Sequence, residues 1–368
     1  MIRSHRIRLN PTCEQADYFV RAAGTRRFVF NWGLAEWKRQ YEAGEKPSAL
    51  ALKKQFNAIK GEQFPWVYEV TKCAVEGAFM DLAAAFKNFF KGRKAGRKVG
   101  YPKFKAKKRS REGFYVANDK FDVSGQWIKL PHIGLVNMAE KLRFQGKVLS
   151  ARIIRTAKYW FVSISVEMPD LPKQVNDQAI GIDLGIHHLA TLSDGSVLEN
   201  QKPLRSLLRQ VKSLSRSLSR KQKGSKNREK ARQKLARLHY RIACIRDDLL
   251  HKATTALAEQ YGFIGVESLH VKGMMHNHAL AQALGDAALG KFAGFLSTKV
   301  EARGGKVQAV GRFYPSSKTC SCCGQVKPEL TLAERVFVCP ACGFTLDRDH
   351  NAAINILNEA LRLSASTQ

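Results

Sequence analysis

Between Ser316 and Leu357 the chain carries two cysteine pairs, Cys320 with Cys323 and Cys339 with Cys342, separated by fifteen residues. Each pair runs straight into a glycine, Gly324 or Gly343, which suits a tight knuckle with backbone N–H groups turned toward the sulfurs. Four soft thiolates at this spacing predict one closed, tetrahedral zinc site, a ribbon over residues 320–343. The metal would hold together a segment too short to bury a core of its own. Cys322 sits inside the first knuckle as a competing thiol, but Cys320 and Cys323 keep the regular spacing. Cys13, Cys73 and Cys244 are scattered and read as ordinary buried thiols of a reducing cytosol.

Directly after the ribbon come Asp347, Arg348, Asp349, His350, Asn351, Ala352 and Ala353, which open an apolar helical pattern through Ile354, Ile356, Leu357 and Leu361. A carboxylate there, just beyond a metal-pinned loop, is held in place. It is suited to complete an acidic cluster if distant parts of the chain supply partners.

The charge points to what such a cluster would act on. Among 368 residues, 62 Lys and Arg face 31 Asp and Glu, a formal net charge of +31. An excess of that size calls for a polyanion, and nucleic acid is the natural one. A membrane surface is the competing polyanion. No apolar run approaches the roughly eighteen residues of a spanning helix, and the N-terminus lacks the apolar core of a signal peptide. The length has room for two to four domains.

Taken in order, Ser4 to Leu9 alternates as a short strand. Asn10, Pro11 and Thr12 then start a helix, with Glu14 and Gln15 in its first turn. Helical periodicity continues to about Phe90, its aromatic stripes expected as core rather than as base-stacking platforms. Lys91 to Arg111 is a basic run with eleven Lys and Arg, no acids, and interleaved Tyr101 and Phe104. Its glycines and proline predict irregular backbone. Arg93, Lys94, Arg97, Lys98, Lys103 and Lys105 are the phosphate-contact candidates, and Tyr101 and Phe104 are placed to stack on unpaired bases.

From Gly113 to Glu167 strands take over: 114–116, 121–123, 127–130, 148–154 and 159–166. Together with the first strand they predict a small antiparallel β-barrel over 1–10 and 105–172, with the helical block 11–104 inserted into it. Asp170 to Gln178 reads as a linker. Lys202 to Arg241 is a long basic helical segment, broken near Gly224, with fifteen Lys and Arg against the single acid Glu229.

Two apolar strands each embed one carboxylate: Asp183 in Ala179 to Gly185, and Glu267 in Tyr261 to Leu269. A buried carboxylate is costly unless paired or metal-bound. For Asp183 alone, a turn-forming role before Gly185 is an equal alternative. The repetition in a second strand, with Asp349 waiting after the ribbon, favours a shared site. An Asp, a Glu and an Asp on strand, strand and helix are the set that holds two hard divalent cations over a phosphodiester. His276 and His278 lie in one loop and are minor metal-ligand candidates without a partner motif.

At these residues the chain resembles a RuvC-type, RNase H-like nuclease, and more closely the transposon-encoded TnpB (OrfB) family, small RNA-guided relatives of type V CRISPR effectors. The likeness spans nearly the whole chain, including Arg27 to Trp32, Tyr101 to Lys105 and Ser316 to Cys320. It implies an α+β multidomain chain: a wedge-like barrel with its helical insertion, a RuvC-like α/β nuclease domain over 178–319 and 346–360, the inserted zinc ribbon, and a tail over 361–368. It also implies that Asp183, Glu267 and Asp349 are the catalytic, magnesium-holding carboxylates, two Mg2+ ions being expected and Mn2+ a substitute. Asp347 is the rival of Asp349 and reads instead as the helix N-cap or as an acid that supports the metal ligands from behind. The implied partners are a guide RNA from the transposon end and double-stranded target DNA bearing a short adjacent motif, with no membrane. The implied setting is the bacterial or archaeal cytosol. Some members that have lost their carboxylates act as repressors; here all three stand. A basic zinc-ribbon regulator that binds without cutting, a strand-joining transposase and an unguided structure-selective nuclease are the alternatives.

Overall fold

The computed structural model describes residues 1–107, 109–173, 176–331 and 333–366. Lys108 of the basic run, Gln174 and Val175 of the expected linker, Leu332 of the ribbon, and Thr367 and Gln368 of the tail lie outside the described residues. The chain divides into two compact units, Met1–Pro169 and Asp170–Gln368.

In the first unit the strand Ile2–Asn10 leads into the helix Cys13–Glu42. Thr12 and Gln15 form a capping box: the Thr12 hydroxyl accepts from Gln15 N at 3.2 Å, and Gln15 Oε1 accepts from Thr12 N at 3.1 Å. Two orphan amides are thereby satisfied at the turn where the proline stops the strand. Helices Ala49–Gln63 and Lys72–Lys94 follow. Their aromatics are core, as expected: Phe56 is fully buried and Trp37 stacks on Phe86 with ring centroids 3.8 Å apart. The third helix runs on through Lys94, so Arg93 and Lys94 are helical, against the expected irregular backbone. Gly92 lets the chain beyond the helix pack back on it: a Cβ there would stand 2.3 Å from Val99 Cγ2.

The sheet has seven antiparallel strands in the order Gly113–Ala117, Lys147–Thr156, Tyr159–Glu167, Ile2–Asn10, Gly134–Met138, Trp127–Leu130, Asp122–Ser124. The first strand is therefore its centre. Among the described residues the ladder has two ends where the sequence suggested a closed barrel. One core nevertheless draws on both ends, joining Phe114 and Val116 to Ile128 and Val136, with Tyr18 and Phe19 from the first helix packed in. The strand Gly134–Met138 has no counterpart in the sequence reading.

The second unit holds a five-stranded sheet in the order Val197–Leu198, Ala190–Leu192, Ala179–Leu184, Phe263–Glu267, Lys306–Val310. The first three strands in sequence form an antiparallel meander. Ala179–Leu184, Phe263–Glu267 and Lys306–Val310 run parallel. Alternation divides the two acid-bearing strands cleanly. Ile180, Ile182, Ile264 and Val266 enter a core with Leu250 and Leu257 of the helix Lys226–Gln260 and Phe292 and Leu296 of the helix Leu289–Glu301. Gly181 and Gly265 meet the helix Arg348–Ala365 instead. Residues 278–301 form two helices, His278–Ala287 and Leu289–Glu301, parted by Ala288 at φ +53°. Of the three scattered cysteines only Cys73 is buried; Cys13 opens its helix and Cys244 lies on an outward helical face. Among the described residues no helix is long and apolar enough to cross a membrane.

Candidate active site and zinc ribbon

Asp183 and Glu267 come together through register. The parallel ladder pairs Gly181 with Gly265 and Ile182 with Val266, which leaves the two acids side by side at the next position. Both sit near the carboxyl ends of their strands, two residues beyond the paired glycines and so on the same face. The helix Arg348–Ala365 crosses that face and delivers Asp349 from its first turn. Asp183, Glu267 and Asp349 all line one cleft of about 840 Å³.

The cleft penalises negative charge. Burial, then the nearby charges of Glu267 and Asp349, push the Asp183 carboxyl up to about 7, with Arg348 working in the opposite direction. Burial also raises Glu267. Among the described residues no Lys or Arg lies within 4.0 Å of any of the three carboxylates. Half-buried, mutually repelling oxygen donors without a cationic partner fit a hard divalent ion such as magnesium. Their ligand atoms are gathered at one cleft but do not all lie within 4.8 Å of one another. Among the described residues the only His, Cys, Asp or Glu set that does is the cysteine set.

Asp347 has a different task. Its Oδ1 accepts from Asp349 N at 2.9 Å and His350 N at 3.0 Å, which makes it the N-cap of the helix. Its neighbour Arg348 anchors the same corner, donating through Nη1 to the Thr331 carbonyl at 3.0 Å.

In the ribbon, Cys320 Sγ lies 3.7 Å from Cys342 Sγ and Cys323 Sγ lies 3.6 Å from Cys339 Sγ. Zinc–sulfur bonds of about 2.3 Å in a tetrahedron set the sulfurs roughly 3.8 Å apart, so the four thiols fit zinc. Backbone N–H groups of Cys342 and Ala341 turn toward the Cys339 thiol and pull it down to about 6. Gly324 and Gly343 adopt φ of +77° and +72°, the left-handed turn that closes each knuckle. Cys322 is exposed and stays outside the set. His276 and His278 are exposed and join no metal-binding set among the described residues.

The ribbon is tied to the Asp349 helix. Asn351, fully buried, accepts from Ser321 N at 3.0 Å and donates to the Thr319 carbonyl at 2.8 Å. Asn355 donates to the Ser316 and Thr319 carbonyls at 2.8 and 2.6 Å. The ribbon strand Val336–Val338 also pairs with Thr345–Asp347, which runs into the cap. Neither asparagine's task was foreseeable, because its partners lie thirty or more residues away. Lys202, Arg205 and Arg335 line the carboxylate cleft and were likewise missed as individuals, lost among so many basic residues.

The nucleic-acid candidates of the first unit separate by exposure. Arg93, Lys94, Arg97, Lys98, Lys103 and Phe104 are exposed. Tyr101 is exposed at its edge but packs T-shaped on Phe86 and Phe89, each at 5.5 Å. Lys105 turns inward, its amine 3.4 Å from the Phe30 ring centroid.

Similarity to other proteins agrees with this architecture. Residues 163–278 match the family OrfB_IS605, described as a probable transposase, 290–356 a Cas12f1-like TNB domain, and 1–46 a helix-turn-helix domain of the OrfB_IS605 group. A Streptomyces pristinaespiralis protein named "Putative RNA-guided DNA endonuclease" is 34% identical, the match covering 99% of this chain and 90% of that protein. The Escherichia coli K12 protein of the same description, InsQ, is 32% identical, covering 97% and 92%. The fold resembles Cas12f1 in its complex with single-guide RNA and target DNA, with a TM-score of 0.61 at 15% identity over 94% of this chain and 83% of that one. By its near full-length similarity to these relatives, the chain belongs to the TnpB (OrfB, IS605) family.

Proposed function

We propose that this chain is the RNA-guided DNA endonuclease of a transposable element, cutting target DNA beside a short adjacent motif in a RuvC-like site. The observation that carries the reading is the gathering of Asp183, Glu267 and Asp349 at one cleft from two strands and a helix. Full-length relatives carry the name of RNA-guided DNA endonucleases, and the net charge of +31 suits a chain that holds both RNA and DNA.

Two magnesium ions bound there would activate water and stabilise the leaving 3′ oxygen of an in-line displacement. The chain's own residues set the stage. Asp183 and Glu267 present oxygens side by side, and Asp349 faces them from a helix whose amides Asp347 holds in place. Arg335, Lys202 and Arg205 line the same cleft and are suited to hold the phosphates flanking the scissile bond. Leu269, Met274 and Leu280 give it an apolar wall that limits water.

The test begins with protein purified from cells carrying the native flanking DNA, followed by sequencing of RNA that survives nuclease treatment. One protected RNA ending in variable sequence, with magnesium-dependent cutting of a matched DNA that Asp183→Asn abolishes, is the expected result. Fragmentary bulk RNA and no guided cutting overturn it. The probable-transposase description of residues 163–278 favours strand joining as a second reading, and joined products on transposon-end DNA would establish that instead.

A further inference from the structure

Within the first unit three cations share one carboxylate. Arg26 donates to Asp81 Oδ2 through Nε at 2.7 Å and through Nη2, and its Nη1 reaches the Gly113 carbonyl at 3.0 Å. Lys105 Nζ stands 3.6 Å from Asp81 Oδ2, and Arg152 Nη1 stands 3.7 Å from Asp81 Oδ1. These two separations exceed an ordinary hydrogen bond of about 2.7–3.2 Å. Arg26 is therefore satisfied, while Lys105 and Arg152 keep donors to spare.

The placement of Lys105 is enforced. Asn31 Oδ1 accepts from Lys105 N at 2.8 Å, and Asn31 Nδ2 donates to the Lys105 carbonyl at 2.9 Å. This double clamp joins the two stretches, Arg27 to Trp32 and Tyr101 to Lys105, that stand out in the sequence. It sets the amine over Phe30 between Arg26, Asp81 and Arg152. The side chain of Lys105 is 24% exposed and that of Arg152 is 41% exposed, so the cluster opens outward at Arg152. A half-buried group of three cations around one anion lacks a second anion.

We propose that Lys105 and Arg152, backed by Arg26, bind one phosphodiester phosphate of the nucleic acid this chain holds. Asp81 keeps the three cations together in the free protein. The proposal rests on the nucleic-acid reading above and adds to it a defined contact. Exposed Lys103 and Phe104 lie next to it in sequence. Lys105 supports the same site electrostatically: burial, then the Arg26 charge, bring its amine down to about 8, with Asp81 opposing and Arg152 adding to the fall. A bound phosphate would raise that value and hold the proton on the amine to higher pH.

The experiment measures affinity of the full-length chain for a fluorescein-labelled RNA hairpin and, separately, a labelled DNA duplex, across salt concentrations at pH 7 and pH 9. Arg152→Gln is expected to reduce the slope of log affinity against log salt by about one. The native chain is expected to bind several-fold more weakly at pH 9, and Lys105→Arg to remove most of that loss. An effect on the RNA alone assigns the phosphate to the guide, and on the duplex alone to the target; either supports the site. Unchanged slopes in Arg152→Gln together with an unchanged pH loss in Lys105→Arg overturn the site while leaving the nuclease reading intact. Failure of the native chain to bind either probe overturns both.

Discussion

Gly181 and Gly265 face each other as register partners on parallel strands, and the helix that carries Asp349 lies directly over both. A Cβ at 181 would stand 2.1 Å from the Ala353 carbonyl oxygen, and one at 265 would stand 2.8 Å from Ala360 Cβ. The missing side chains let the helix descend until its first turn meets the acids that follow two residues later on each strand. Gly265→Ala should lift the helix slightly and cost about 1–3 kcal/mol, as overpacking does. Gly181→Ala meets backbone and should cost at the upper end of that range. Denaturant unfolding checks the order of the two, and cleavage should fall in both variants while RNA binding persists. Equal stability of Gly181→Ala and the native chain would remove the seat from the account.

Asp183 makes the cleft pH-sensitive. Its folded carboxyl is pushed up to about 7, first by burial and then by Glu267 and Asp349, above the roughly 3.9 of an unfolded Asp. The unfolded chain therefore releases this proton first. The metal-free fold loses stability as pH rises from about 4 through 7, and keeps it below that window. Thermal melts in chelator should show Asp183→Asn more stable than the native chain at pH 8 and closer to it at pH 5. Divalent ions compete with the same proton, so magnesium affinity should rise with pH through about 7 in the native chain. Melts that are flat with pH in the native chain would contradict the crowding of these charges.

What was legible in the sequence is what local spacing encodes. The cysteine pairs announce their site because the ligands of each knuckle lie three residues apart. Asp183 and Glu267 announce themselves as lone charges in apolar strands, and the structure brings both to one cleft with Asp349. Asp347 reads as an N-cap from its place before the helix, and it caps. What stayed hidden depends on distant register. Nothing near Ile2–Asn10 says that it is the middle strand of seven, and nothing near Asn351 names Ser321 and Thr319 as its partners. Lys105 looked like its neighbours in a basic run, yet the Asn31 clamp turns it inward. Arg335 lies between the two cysteine pairs, and only the fold brings it to the acids.

Asn351 links the ribbon to the site. Asn351→Ala leaves the Ser321 amide without its partner in a part-buried setting and takes one of two donors from the Thr319 carbonyl, which keeps Asn355, a cost of about 1–3 kcal/mol. The four thiols are untouched, so zinc content by elemental analysis should stay near one per chain while cleavage falls at least tenfold. Hydrogen exchange should quicken in the first turns of the helix Arg348–Ala365. Cys339→Ser should lower zinc content and quicken exchange in the same turns. If either variant leaves the helix's exchange unchanged, the ribbon does not steady Asp349.

Asp347 and Asp349 are separable by substitution. Asp347 spends its carboxylate on the amides of Asp349 and His350, so Asp347→Ala removes a cap worth about 1 kcal/mol. Asp347→Ser retains a capping oxygen and should restore most of that stability. Asp349 caps nothing, and its carboxylate faces the cleft with Asp183 and Glu267. Asp349→Asn keeps the shape, removes one anionic ligand, and should reduce cleavage by at least a hundredfold without destabilising the fold. Asp347→Ser should cut at a rate within about tenfold of the native chain, since a cap positions and does not ligate. Comparing unfolding and cleavage across the three variants decides the matter: loss of cutting in Asp347→Ser with full activity in Asp349→Asn would exchange the two roles.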